Sequence, residues 1–130
     1  MRISTRMHGA MDYFIGIVLL LAPNLLGFAD VPASASIARI IGTIVLLQAV
    51  MTRFEYGLIK LIPMRMHLMM DYVIGAILAA SPWLFGFSDA EGNAVWPHVI
   101  VGLLIIAQAA MTRVSGRAAV HEFDNTRRAA

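Results

Sequence analysis

The chain has 130 residues, 59% of them hydrophobic and only 14% charged, with a formal net charge of +2 and no cysteine. Soluble domains carry roughly 25% charged residues, so a water-soluble globule is excluded for want of polar surface. The absence of cysteine excludes disulfides, thiol catalysis and thiolate metal sites, and so small a net charge does not suit nucleic acid.

Arg2 and Arg6 open the chain, and residues 9–28 then run apolar except for Asp12 and Asn24. Twenty helical residues reach about 30 Å, the thickness of a bilayer's hydrocarbon core. A basic start, an apolar run and the small residues of VPASAS also fit a signal peptide. The same segment recurs inside the chain, where no signal peptide acts, so it is read as a membrane span. Residues 30–36 form a short loop with Pro32. A second apolar run covers 37–52, extended backwards by 33–36, with Arg39 near its start and Gln48 near its end.

Residues 53–65 are a polar connector. The third run, MHLMMDYVIGAILAASPWLFGF at 66–87, repeats MHGAMDYFIGIVLLLAPNLLGF at 7–28. A loop at 88–95 carries Asp89, Glu91 and Gly92. Trp96-Pro97 opens the fourth run, 97–112, with proline at a tolerated first-turn position. Residues 114–130 are a polar, basic tail containing His121, expected to be solvated and partly disordered.

Residues 6–30 aligned on 65–89 match at 14 of 25 positions, and 42–53 aligned on 102–113 match at 6 of 12. Each unit, 6–53 and 65–113, therefore holds two spans. Two spans return the chain to its starting side, so the units lie parallel, related by a pseudo-two-fold axis along the membrane normal. The expected fold is all-α: an integral membrane four-helix bundle made of two parallel two-span repeats. Lys and Arg flank the ends of the chain and the 53–65 connector, while the loops at 29–35 and 88–94 have none. The positive-inside rule places both termini in the cytoplasm. Arg39 breaks the pattern and is expected to snorkel or to pair with an outer carboxylate.

Ser81-Pro82-Trp83, near the outer end of the first span of a two-span unit, resembles the SPW repeat. The first unit departs from it with Ala22-Pro23-Asn24 and keeps only the proline. The resemblance covers residues 6–113. It implies a small, mostly bacterial, multi-pass membrane protein, and it supplies no catalytic residues. Physically, Pro23 and Pro82 each remove a helix hydrogen bond, the Ser81 hydroxyl can bond one turn back, and Trp83, Phe85 and Phe87 suit the headgroup level. The motif reads as a kinked helix end with an aromatic anchor, or alternatively as a ligand or partner groove.

His8 and Asp12 lie one helical turn apart, as do His67 and Asp71. Gly16 and Gly75 continue that face. Depth puts Asp12 in one inner layer with Gln48, Thr52 and Arg53, and Asp71 with Gln108, Thr112 and Arg113. Three readings compete for this layer. It staples the helices, it carries protons or ions, or it holds a cofactor, with His8 and His67 as weak metal or haem ligands. The staple is preferred, and no cofactor or metal is predicted. His98 has no counterpart in span two, where Ala38 stands, and is read as a surface or interface residue. Gly42 and Gly102 permit close helix approach. No phosphate-binding loop or nucleophile arrangement is present. The expectation is a non-enzymatic protein acting through helix packing, as an accessory subunit or homo-oligomer. The alternative is a small channel or proton-conducting oligomer.

Overall fold

The structure is a computed structural model in which residues 2–114 and 128–129 are described. The expected solvated tail, with His121, falls almost wholly outside the described residues. Four helices make up the fold: α1 (Thr5–Leu25), α2 (Pro32–Val50), α3 (Met64–Leu84) and α4 (Trp96–Met111). Three of them are long and apolar enough to cross a membrane, while α4 is apolar but has 16 residues, about 24 Å of helix.

Local chemistry sets the helix ends. Ser4 caps α1 by accepting from the Met7 amide at 3.2 Å, so the helix begins four residues before the apolar run and carries His8 within it. Pro32 and Pro97 sit in the first turns of α2 and α4, where their missing N–H costs nothing. α1 and α3 end just after Pro23 and Pro82. In both, a glycine in the left-handed region follows, Gly27 (φ 77°) and Gly86 (φ 72°). The amides of Phe28 and Phe87 then bond back to the carbonyls of Pro23 and Pro82 at 2.9 and 2.8 Å. This is the glycine-terminated helix end, and it turns the two phenylalanines back under the bundle.

α1 packs chiefly on α2 and α3 on α4, with narrower contacts between α2 and α3 and between α1 and α4. Glycines set the close approach within each pair. A Cβ on Gly42 would stand 2.8 Å from the Gly16 carbonyl oxygen, and one on Gly102 2.6 Å from that of Gly75. Small residues allow such backbone contact, which replaces the hydrophobic drive that lipid cannot supply.

The two pairs are closed into a ring by matching backbone clips. Ile62 donates to the Met51 carbonyl and Arg53 to that of Ile62, both at 2.8 Å. Ile3 donates to Met111 at 2.8 Å and Arg113 to Ile3 at 3.0 Å. The end of α2 is thus tied to the start of α3, and the end of α4 to the start of α1, as pseudo-two-fold symmetry requires.

The interior has three layers. The buried middle consists of Ile15, Leu19, Ile41, Val45, Ile74, Leu78 and Ile105. At the end holding the loops at 26–31 and 85–95, Phe28, Ala22, Ala38 and Ala94 form a second apolar cluster. The opposite end is polar. The outer surface of the helices carries large apolar side chains, among them Phe14, Leu25, Met69 and Leu103, each more than half exposed. Exposed apolar surface on this scale is what a lipid-facing bundle presents and what a soluble monomer avoids.

Candidate functional site

The polar end is built from equivalent residues of both repeats. The helical spacing of four puts His8 above Asp12 on α1 and His67 above Asp71 on α3, and both faces point at the pseudo-two-fold axis. All four are at most 2% exposed. Their reactive atoms form one knot. His8 Nε2 lies 2.9 Å from Asp71 Oδ2 and 3.2 Å from Asp12 Oδ2. His67 Nε2 lies 2.9 Å from Asp12 Oδ2 and 3.2 Å from Asp71 Oδ2. The two Nε2 atoms are 3.3 Å apart.

The remaining polar atoms fix this arrangement. The Thr52 hydroxyl donates its single proton to the Gln48 carbonyl at 2.6 Å, so it accepts from His67 Nδ1, 2.7 Å away. Thr112 does the same for its own repeat, donating to the Gln108 carbonyl and accepting from His8 Nδ1 at 2.7 Å. Both imidazoles therefore carry hydrogen on Nδ1 and turn Nε2 to the centre. Gln48 Nε2 donates to Asp71 Oδ1 at 2.7 Å, and Gln108 Nε2 donates to Asp12 Oδ1. Each carboxylate is thus held by an amide at one oxygen and turned inward with the other.

These contacts correct two expectations. Asp12 is served by Gln108 and Asp71 by Gln48, not by the glutamine of its own repeat. Depth alone places these residues in one layer but says nothing of which way around the bundle each helix faces. The backbone clips bring the end of α4 to α1 and the end of α2 to α3, so the partners cross. Arg53 and Arg113 are not in the layer at all. Both are exposed: Arg53 Nε donates to the Lys60 carbonyl at 3.0 Å, and Arg113 lies beyond the end of α4. A guanidinium keeps its hydration at the water boundary in preference to being buried.

At the opposite end, His98 is also a correction. It is 1% exposed, with Nε2 donating to the Ser34 carbonyl at 3.0 Å and its ring against Phe28 and Phe87. Its counterpart in α2, Ala38, is buried in the apolar cluster with Phe28. Phe87, expected at the headgroup level, is 4% exposed because the Gly86 turn folds it inward. Among the described residues, the buried side-chain polar atoms without a partner are Gln48 Oε1, Gln108 Oε1 and His98 Nδ1.

The Ser81-Pro82-Trp83 segment lies at this end. Ser81 Oγ bonds the Leu78 carbonyl at 2.6 Å, and Pro82 is buried. Trp83 is 64% exposed, facing outward as an interface anchor does. In the first repeat Asn24 stands in its place and accepts from Nη2 of the exposed Arg39 at 2.9 Å, so of the two expectations for Arg39 the carboxylate partner is replaced by this amide. Trp83→Tyr should leave insertion and stability unchanged, whereas Trp83→Asp should lower the membrane-integrated yield several-fold. Membrane-fraction yield measured for both variants checks this, and equal tolerance of the two contradicts the anchor.

No curated protein and no solved structure matches the chain. The family model of the SPW repeat domain matches residues 6–112, both two-helix units and the whole of the buried polar site. With three helices of spanning length and an apolar outer surface, this multi-pass membrane chain belongs to the SPW repeat family.

Proposed function

We propose that this protein is a non-enzymatic membrane protein of the bacterial inner membrane that acts through its helix surfaces, as an accessory subunit or homo-oligomer. The observation that carries this reading is the direction of the polar side chains. Those of the helices' polar end turn onto one another, and the exposed faces are left to apolar contact. The buried His8, Asp12, His67 and Asp71 then act as the joint that fixes one repeat against the other. The middle layer of Ile15, Leu19, Val45, Ile74, Leu78 and Ile105 opposes the rival reading, since conduction within one subunit needs polar side chains across the whole span.

Native mass in mild detergent tests the proposal. A discrete species above the 14.2 kDa of one chain, either a multiple of it or a complex with a second membrane protein, is the expected result. A monomer that conducts protons or ions in liposomes contradicts it.

The proposed orientation has both termini in the cytoplasm, since the basic residues Arg2, Arg6, Arg53, Lys60 and Arg65 cluster at the polar end of the bundle. Reporters fused after residues 33 and 92 should be extracytoplasmic, and those after 60 and 120 cytoplasmic. A cytoplasmic signal at 92 contradicts the arrangement of two parallel hairpins.

A further inference from the structure

We propose that His8, Asp12, His67 and Asp71 form a closed tetrahedral site for one divalent transition ion of the zinc type, with His8 Nε2, His67 Nε2, Asp12 Oδ2 and Asp71 Oδ2 as its ligands. The inference concerns the same joint as the proposed function but does not depend on what the helix surfaces bind.

Three observations carry it. The first is the geometry of the ligand atoms. Zinc binds nitrogen and carboxylate oxygen at about 2.0–2.2 Å, which sets the edges of its ligand tetrahedron at about 3.3–3.6 Å. Five of the six edges here lie at 2.9–3.3 Å, and the sixth, between the two carboxylate oxygens, is no longer than 4.8 Å, so a tetrahedron forms as those two oxygens close on the ion. The atoms are drawn in by a few tenths of an ångström, as directly hydrogen-bonded atoms are, and a small outward movement of each makes room for the ion.

The second is the outer hydrogen bonding. Metal-bound histidine donates its other ring N–H to an oxygen, and metal-bound carboxylates are themselves hydrogen-bonded. Here Nδ1 of each histidine donates to a threonine hydroxyl that is locked on a backbone carbonyl. Oδ1 of each aspartate accepts a glutamine amide. Both features turn the inward atom of each side chain to the centre, where an ion would take the electron pair of each Nε2 in place of its proton, and every element is duplicated by the pseudo-symmetry.

The third is charge. Two carboxylates buried beside an apolar core need two positive charges to balance them. A divalent ion supplies both at the centre of the knot. Two nitrogen and two oxygen ligands in a tetrahedron suit zinc, and Co²⁺ can stand in for it as a spectroscopic probe. With four protein ligands and complete burial the site has no open position, so the ion is structural and no reaction is assigned to it.

The test uses the full chain purified in mild detergent without chelator. Elemental analysis should find about one zinc per chain. Co²⁺ added to chelator-stripped protein should give the intense visible absorption of a tetrahedral site. Asp71→Asn should stay folded by circular dichroism and native mass, yet bind Co²⁺ at least 100-fold more weakly, because the amide lacks the charge. Thr112→Val should remain folded and bind 10–100-fold more weakly. A folded wild-type chain that takes up neither Zn²⁺ nor Co²⁺ overturns the site. So does an Asp71→Asn variant that binds as tightly as wild type, or a cobalt spectrum of octahedral type. A metal-free chain that still assembles leaves the proposed function standing, and a metal-loaded monomer leaves the site standing without it.

Discussion

Replacing Asp71 with leucine should destabilise the detergent-solubilised bundle by about 3–5 kcal/mol, the cost of breaking a buried charge pair by removing one partner. Asp71 accepts from Gln48 at Oδ1 and faces both imidazoles at Oδ2. Leucine leaves the Gln48 amide without its acceptor and the two histidines with one carboxylate between them. Asp71→Asn is expected to cost much less, on the order of 1 kcal/mol, within the range of a single hydrogen bond. Its oxygen keeps the Gln48 bond, and its amide N–H meets His8 Nε2 as an acceptor on a neutral ring. By symmetry Asp12→Leu and Asp12→Asn should repeat the pattern through Gln108. Thermal unfolding in one detergent, read for all four variants, checks the order. Equal stability of the Asn and Leu variants means that the knot does not hold the repeats together.

The second large effect is expected at the glycine contacts. A Cβ on Gly102 would stand 2.5 Å from the Ala79 backbone nitrogen and 2.6 Å from the Gly75 oxygen. Those are backbone atoms and cannot swing aside, so α3 and α4 must separate. Gly102→Ala should cost about 1–3 kcal/mol, the usual range for overpacking, and Gly102→Leu should part the helices. Leu103→Ala on the neighbouring exposed face, where the side chain is 56% exposed, should change little. Thermal stability of the three variants in detergent measures this. A Gly102→Leu variant as stable as wild type contradicts the close approach.

Much of the fold was legible because membrane chemistry leaves few choices. A bilayer requires long apolar helices, and the internal repeat required two equivalent hairpins. The depth of the polar layer was legible too, since His8 and Asp12 stand at the same point of their repeat as His67 and Asp71. What stayed hidden was azimuth. Gln48 lies at the depth of both aspartates, and only the clip between Ile62 and Met51 decides that it serves Asp71. His98 was misread for a related reason. Its burial depends on Phe28 and Phe87 being turned inward by Gly27 and Gly86, a consequence of backbone conformation that apolar patterning does not encode. Thr52 and Thr112 were placed in the layer, but their role as acceptors for the imidazoles follows only from where their own protons go.

The two repeats are joined by crossed contacts at one buried polar knot. A double-mutant cycle on Asp12 and Gln108, set beside one on Asp12 and Gln48, tests it most directly. Direct polar contacts inside membrane bundles couple by about 0.6 kcal/mol on average and up to about 1.7 kcal/mol. Coupling of that size is expected for Asp12 with Gln108, and distinctly less for Asp12 with Gln48, which it touches only through other members of the knot. The reverse order, with Asp12 coupled to Gln48 of its own repeat and not to Gln108, would contradict it.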